Sequence, residues 1–120
     1  MKSLDKAILC MKIIQERKAV DPVLFDVEKL TSIADFFIIS GGNSSRQVQA
    51  ITQHIGQRMR EEGFRPLGVE GEQEGHWVLM DYGDVVIHIF YQPVREFYDL
   101  EGLWMEAPRI ELYETERKTF

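Results

Sequence analysis

Residues 76–90 predict two strands joined by a tight turn, and this hairpin limits the possible folds more than any other feature of the chain. The segment reads HWVLMDYGDVVIHIF, in which Tyr82-Gly83 separates two apolar runs. A two-residue loop at Tyr82-Gly83 sets the pairing of the two strands. The facing pairs that it predicts are Asp81 with Asp84, Leu79 with Val86, and Trp77 with His88.

The two faces of this hairpin differ in chemistry, because successive side chains of a strand point to opposite sides. One face is aliphatic, has His76 at its end and is typical of a protein core: Val78, Met80, Val85, Ile87 and Ile89. The other face mixes apolar, aromatic and acidic groups: Trp77, Leu79, Asp81, Asp84, Val86, His88 and Phe90. Aromatic side chains with a polar atom dominate interface energies. We therefore expect the mixed face to bind a partner.

The remaining elements follow from apolar spacing and from turn residues. The pattern predicts helices over 3–18 and 44–62, strands over 23–27 and 35–40, an extended segment over 65–71, and a helical element over 95–104. The order is thus α-β-β-α-β-β-β-α, and the two strands that flank the second helix can form a right-handed crossover. We expect an α/β (α+β) fold, with a mixed sheet of about five strands and helices mainly on one face, so that the other face is partly uncovered.

The chain of 120 residues is long enough for one core and too short for two. We expect a single domain over residues 1–104. The charged residues 105–120 are expected to form a C-terminal tail that is loosely attached or disordered.

Charge and cysteine content limit the class of partner. The net charge is −6, and an acidic surface repels a phosphate backbone, so we expect a basic protein partner and no direct nucleic-acid binding. Cys10 is the only cysteine, which excludes an internal disulfide and a cysteine-based zinc site, and its place in the first helix predicts a buried, inert thiol. A single cysteine fits a reducing, cytosolic setting, so a cytoplasmic protein is expected, and no apolar run approaches the length of a membrane span.

Two features could belong to an enzyme that transfers nucleotides. Asp26 and Glu28 lie on one strand face, and the turn Gly41-Gly42-Asn43-Ser44 opens a helix that could hold a phosphate. The acids precede the turn, whereas nucleotidyltransferases generally carry theirs after it. We favour a solvated strand edge and a plain strand-to-helix turn, and we predict no catalytic residue and no cofactor. His76 and His88 fall on opposite faces, so they form no metal site together.

Three segments are similar to those of the Iojap family, the ribosomal silencing factors. They are DFFIISGGNSSRQV at 35–48, PLGVEGE at 66–72, and WVLMDYGDVVIHIF at 77–90, which continues to REFYDLEGLW at 95–104. The chain departs from the family at two positions. The family often has histidine where this chain has Gln47, and it commonly has a residue other than glycine where this chain has Gly102. Gln47 puts in doubt any role that needs a titratable group at the start of the second helix.

The resemblance implies a fold like that of nucleotidyltransferases without their catalytic acids. It also implies binding to the large ribosomal subunit through the basic ribosomal protein uL-fourteen, which blocks the small subunit and represses translation. Organellar relatives act in large-subunit assembly, so that role is the alternative. A homodimer through the same face is also allowed.

Nine residues are assigned to this contact with the ribosomal partner. The apolar and stacking centre is Trp77, Leu79, Val86 and His88, and the acidic rim is Asp81, Tyr82, Asp84, Asp99 and Glu101. Tyr82, at the hairpin tip, is expected outside the core. The segment 97–101 is either a third part of the same surface or a helix that only caps the sheet.

Overall fold

A mixed five-stranded sheet organises the protein, of which the computed structural model describes residues 2–111. Its elements in chain order are α1 (Ser3–Gln15), β1 (Val20–Asp26), β2 (Phe36–Gly42), α2 (Ser45–Glu61), β3 (Gly68–Glu70), β4 (Trp77–Asp81), β5 (Val85–Tyr91), α3 (Gln92–Tyr98) and α4 (Leu100–Leu103). The strand order is β1-β2-β5-β4-β3. This architecture confirms the predicted fold class.

The central strand β2 is parallel to β5 and antiparallel to β1. β3 runs parallel to β2, with β5 and β4 between them. The predicted crossover through α2 therefore joins two parallel strands of one sheet that are not neighbours. β2 is buried along its whole length, as a strand with apolar residues on both sides requires.

Helix α2 begins at a well-formed cap. The Ser44 Oγ accepts a hydrogen bond from the backbone N–H of Gln47 at 3.0 Å, and the Gln47 side chain accepts one from the N–H of Asn43 at 2.6 Å. These contacts satisfy amides that the first helical turn leaves without partners. Gln47 therefore has a structural role that needs no titratable group.

The helices α1 and α2 cover one face of the sheet and enclose the main core. The aliphatic hairpin face packs there in full, as predicted: Val78, Met80, Val85, Ile87 and Ile89. Cys10 is also in this core with no exposed surface, and burial raises the pKa of its thiol to about 12. The prediction of a buried, inert thiol is confirmed.

The opposite sheet face has a second, smaller core. Phe25, Phe37 and Phe90 are buried there, and the Trp104 ring meets Phe37 edge-on with the ring centroids 5.0 Å apart. The two longer helices, α1 and α2, share one face as predicted, and the short helices α3 and α4 lie over part of the other. The part of this face on β4 and β3 stays accessible.

The segment after α4 is bound to the outer edge of β1. The carbonyl of Pro108 accepts from the N–H of Asp26, and the N–H of Ile110 donates to the carbonyl of Leu24, both at 2.9 Å. Ala107 is buried in the second core. The expected loose attachment is therefore wrong for residues 105–111, and the rest of that prediction falls on 112–120, outside the described residues.

Among residues 2–111, no helix is long and apolar enough to cross a membrane.

Candidate partner-binding site

The hairpin of β4 and β5 differs from the predicted one by two residues in register. The observed pairs are Trp77 with Phe90, Leu79 with His88, and Asp81 with Val86. The loop is Gly83-Asp84, because the N–H of Tyr82 donates to the carbonyl of Val85 at 2.9 Å. Gly83 has a φ of 88°, which the first central residue of a type II′ turn requires. A shift of two residues keeps every side chain of β4 and β5 on its predicted face, although Asp84 now lies in the loop.

The accessible part of the mixed hairpin face is made by Trp77 and Leu79 on β4 and by Tyr98 on α3, and we call these three residues the aromatic face. Trp77 is 36% exposed, and its ring lies 5.2 Å from that of Tyr98, which is 55% exposed. Leu79 is half-buried and lies on the same face of β4 as Trp77, two residues further along the strand. Tyr98 belongs to the segment whose role the sequence left open, and its contact with Trp77 makes it part of this surface.

His88 lies beneath the aromatic face. Its Nδ1 atom accepts a hydrogen bond from the Trp77 indole N–H at 3.1 Å, and its ring meets Phe37 with an interplanar angle of 81°. Burial lowers the pKa of His88 to about 4, so the imidazole is neutral at physiological pH. Trp77 and Phe37 thus hold the ring in one orientation.

Two of the expected apolar contacts have little accessible surface. Val86 and His88 are each 6% exposed, since the second core covers them. The expectation that they form the open centre of the face is therefore wrong. They support the aromatic face from below.

Two of the expected rim residues are turned away from this face. Tyr82 is 4% exposed and packs in the main core, where burial raises its pKa to about 12, so its predicted place outside the core is wrong. The Asp84 carboxylate accepts hydrogen bonds from Lys6 Nζ at 2.7 Å and from Ser3 Oγ at 2.8 Å. Partial burial would raise the pKa of Asp84, but these donors and the Lys6 charge hold it below its usual value.

Glu101 is also engaged inside the protein. Arg95 on α3 donates from Nε to Glu101 at 2.7 Å, from Nη1 to the carbonyl of Val20 at 2.9 Å, and from Nη2 to the carbonyl of Asp21 at 2.8 Å. The buried guanidinium therefore fastens α3 and α4 to the start of β1. This contact fixes the position of Tyr98, which ends α3.

An acidic border remains beside the aromatic face. Asp81 is half-buried, with one carboxylate oxygen accepting from the N–H of Gly83 at 2.8 Å. Asp99 is exposed and does not belong to this border, since it lines a cleft next to β1 together with Arg95. Glu70 on β3 pairs with Leu79, so it adds a carboxylate that the sequence did not reveal. Leu67 and the strands β3 and β4 border a shallow groove of about 310 Å³. The sequence did not predict Glu70 at this site because the register of β3 against β4 could not be defined. The chain between the two strands is too irregular for that.

The residues of the alternative enzyme site do not come together. Asp26 pairs with Phe36 at the start of β2, whereas Gly41 pairs with Val20 at its far end. At the rise of a β-strand, the acids and the glycine turn are separated by roughly 15 Å or more. A Cβ atom on Gly41 would collide with the Gln92 side chain, so this glycine permits the close approach of α3. Within residues 2–111, no three His, Cys, Asp or Glu side chains are grouped as metal ligands would be.

Comparison with known proteins gives a consistent result. The model of the family described as "ribosomal silencing factor during starvation" (RsfS) matches residues 1–119. The chain belongs to this family. The predicted resemblance is thereby confirmed.

Relatives of the RsfS family match most of the chain. The ribosomal silencing factor RsfS of Bacillus subtilis is 42% identical over 97 residues, which cover 81% of this chain and 82% of the relative. That of Halalkalibacterium halodurans is 40% identical over 104 residues, covering 87% and 89%. A solved structure from Chromobacterium violaceum superposes with a TM-score of 0.84 at 36% identity and covers 87% of both chains.

A more distant relative carries a different name. The mouse protein called mitochondrial assembly of ribosomal large subunit protein 1 is 26% identical over 99 residues. The match covers 80% of this chain and 43% of the mouse protein.

Proposed function

We propose that this protein is a non-enzymatic silencing factor that acts in the cytoplasm. It binds the large ribosomal subunit through ribosomal protein uL-fourteen, occupies the surface that the small subunit needs, and so represses translation. Membership of the RsfS family supports the ribosomal target. The structural observation that carries the proposal is the aromatic face with its acidic border.

The aromatic face has the composition of an interface centre. Trp77 and Tyr98 are large, partly exposed and held against each other, so they lose little conformational freedom on binding. Tryptophan and tyrosine are also the residue types enriched among interface hot spots. A partner that covers Trp77, Tyr98 and Leu79 removes apolar surface from water at the centre of the contact.

The acidic border suits a basic ribosomal protein. Asp81 and Glu70 lie beside Leu79 of the aromatic face, and the whole chain has a net charge of −6. Complementary charge speeds the encounter and selects the orientation of the partner. We assign direct apolar or charged contacts to Trp77, Leu79, Asp81 and Asp99, and a structural role to Val86, Tyr82, Asp84 and Glu101. His88 lies beneath Trp77 and orients its indole.

Co-sedimentation with purified large and small subunits tests the proposal. We expect the wild-type protein to sediment with large subunits only and to lower the yield of joined ribosomes when it is added before small subunits. Trp77→Ala should weaken binding by about 30-fold or more, since truncation of a hot spot costs about 2 kcal/mol. Asp81→Lys should weaken it as well, because it reverses a charge in the border.

Matched control variants keep these changes interpretable. Leu4→Ala removes an apolar side chain of similar exposure, 41% against 36% for Trp77, from the helix on the opposite sheet face. Glu28→Lys makes the same charge change in an exposed turn. Both controls should bind like wild type. Wild-type affinity in both Trp77→Ala and Asp81→Lys would overturn the assigned face, and absence of binding to large subunits would overturn the function.

Assembly of the large subunit is the second candidate function, and the name of the mouse relative supports it. The same surface would serve both roles. An assembly factor would bind immature large particles in preference to mature ones and would leave subunit joining unchanged. The joining assay therefore separates the two functions.

A homodimer through the aromatic face is also part of the proposal. Such a dimer would compete with the ribosomal partner, because both would cover Trp77. Light scattering across a concentration series should then show self-association that Trp77→Ala weakens, while Leu4→Ala leaves it unchanged.

A further inference from the structure

Trp77 determines where the imidazole of His88 carries its proton. An indole N–H can only donate, and it points at Nδ1 of His88 over 3.1 Å. A ring nitrogen that accepts a hydrogen bond holds no proton of its own. The neutral imidazole therefore carries its proton on Nε2.

The Nε2–H group of His88 has no hydrogen-bond partner in residues 2–111 and is not fully buried. The Trp77 contact is the one hydrogen bond that the ring makes within this part of the chain. Three side-chain atoms of the described residues are fully buried without a hydrogen bond, and Nε2 of His88 is not one of them. The whole residue is 6% exposed, so a small part of its surface stays accessible to a partner.

The surroundings of the ring keep this donor in a defined place. His88 lies on the inner strand β5 directly opposite Leu79, and its ring is packed between Trp77 and Phe37. A fixed donor beneath an apolar surface can discriminate strongly between partners, because a partner without an acceptor would leave it buried and unpaired.

We propose that His88 is a specificity-determining residue of the partner-binding face, whose Nε2–H donates to an uncharged oxygen of the partner, such as a backbone carbonyl. The inference rests on the proposed function and names the chemistry that the centre of the face recognises. An uncharged acceptor fits because burial keeps the ring neutral, so that it offers a donor but no positive charge.

The tautomer can be measured on the free protein, independently of any partner. Nitrogen-15 NMR of the labelled imidazole should show a protonated Nε2 and an unprotonated, hydrogen-bonded Nδ1 at neutral pH. Trp77→Phe removes the indole donor and should allow a mixture of tautomers. A proton on Nδ1 in the wild-type protein would overturn the proposal.

Two substitutions then separate the donor from the shape of the site. In His88→Gln, the amide can place a nitrogen near Nε2 and an oxygen near the Trp77 N–H. In His88→Asn, the shorter amide can still accept from Trp77, but it ends short of the surface. With large ribosomal subunits, His88→Gln should bind within about threefold of wild type and His88→Asn about tenfold more weakly, as expected for one lost hydrogen bond.

A third replacement tests the donor even if His88→Asn does not fold. Nε2-methylhistidine at position 88 keeps the ring and the Nδ1 acceptor and removes only the outward proton, so it should also weaken binding. Thermal unfolding checks that each variant is folded. Wild-type affinity in the methylated protein would overturn this inference alone, whereas absence of subunit binding by the wild-type protein would overturn the proposed function and this inference with it.

Discussion

Lys6 on α1 donates to the Asp84 carboxylate in the hairpin turn, with Nζ and Oδ1 2.7 Å apart. The same ammonium group donates to the carbonyl of Tyr82 at 2.7 Å. The turn between β4 and β5 is thus held against the helical layer, on the side away from the aromatic face. An acidic residue that the sequence assigned to the rim is in this way used to join two elements far apart in the chain.

Asp84→Asn should lower the free energy of unfolding by about 2 kcal/mol, because it leaves the largely buried Lys6 ammonium without its charged acceptor. Denaturant titration measures this change. Glu28→Gln, in an exposed turn, is the control and should have little effect. Asp84→Asn should bind large subunits with the affinity of the wild type. A large loss of affinity in a folded variant would show that Asp84 contacts the partner.

Acidification should destabilise the protein through His88. Its pKa falls from 6.5 to about 4 on folding, so the unfolded state binds more protons between these values. Stability is therefore unaffected by His88 above pH 6.5, declines as the pH falls from 6.5 to about 4, and declines no further below that. From pH 7 to pH 5 this contribution amounts to about 2 kcal/mol.

Denaturant titrations of the wild type and of His88→Gln at pH 7 and pH 5 test this origin. Glutamine does not titrate, so the variant should lose about 2 kcal/mol less than the wild type between the two pH values. An equal loss in both proteins would show that His88 is not responsible.

Tyr98→Ala should weaken binding to large subunits by about tenfold, because the tyrosine extends the aromatic face beside Trp77. Filter binding or co-sedimentation with purified subunits measures it. Leu4→Ala provides the comparison on the opposite side of the sheet. Unchanged affinity in Tyr98→Ala would restrict the contact to the hairpin and leave α3 as a cap of the sheet.

Arg95→Lys should destabilise the protein by about 2 kcal/mol, since one ammonium group cannot replace a planar fork that reaches Glu101 and two carbonyls. It should also weaken subunit binding, because Tyr98 loses its fixed position at the end of α3. Arg46→Lys, at an exposed position of α2, is the matched control. A stable Arg95→Lys protein would show that α3 is held by its apolar contacts alone.

The hairpin shows how far local pattern can reach. Alternation with a period of two assigned each side chain of β4 and β5 to its correct face, although the loop is Gly83-Asp84 and not Tyr82-Gly83. Face membership survived because the register differs by an even number of residues. The apolar stripe of α2 and the burial of Cys10 followed from helical spacing in the same way.

By itself, the sequence determined the order and type of most elements, the two faces of the hairpin and the family to which the chain belongs. Only the tertiary structure decided which residues of the mixed face stay accessible. The chain after β5 folds back over β1, β2 and β5, through α3, α4 and residues 104–110. This packing covers Val86 and His88, whereas Trp77 and Tyr98 remain exposed. Such burial depends on contacts between residues distant in the chain, and a local periodicity contains no information about them.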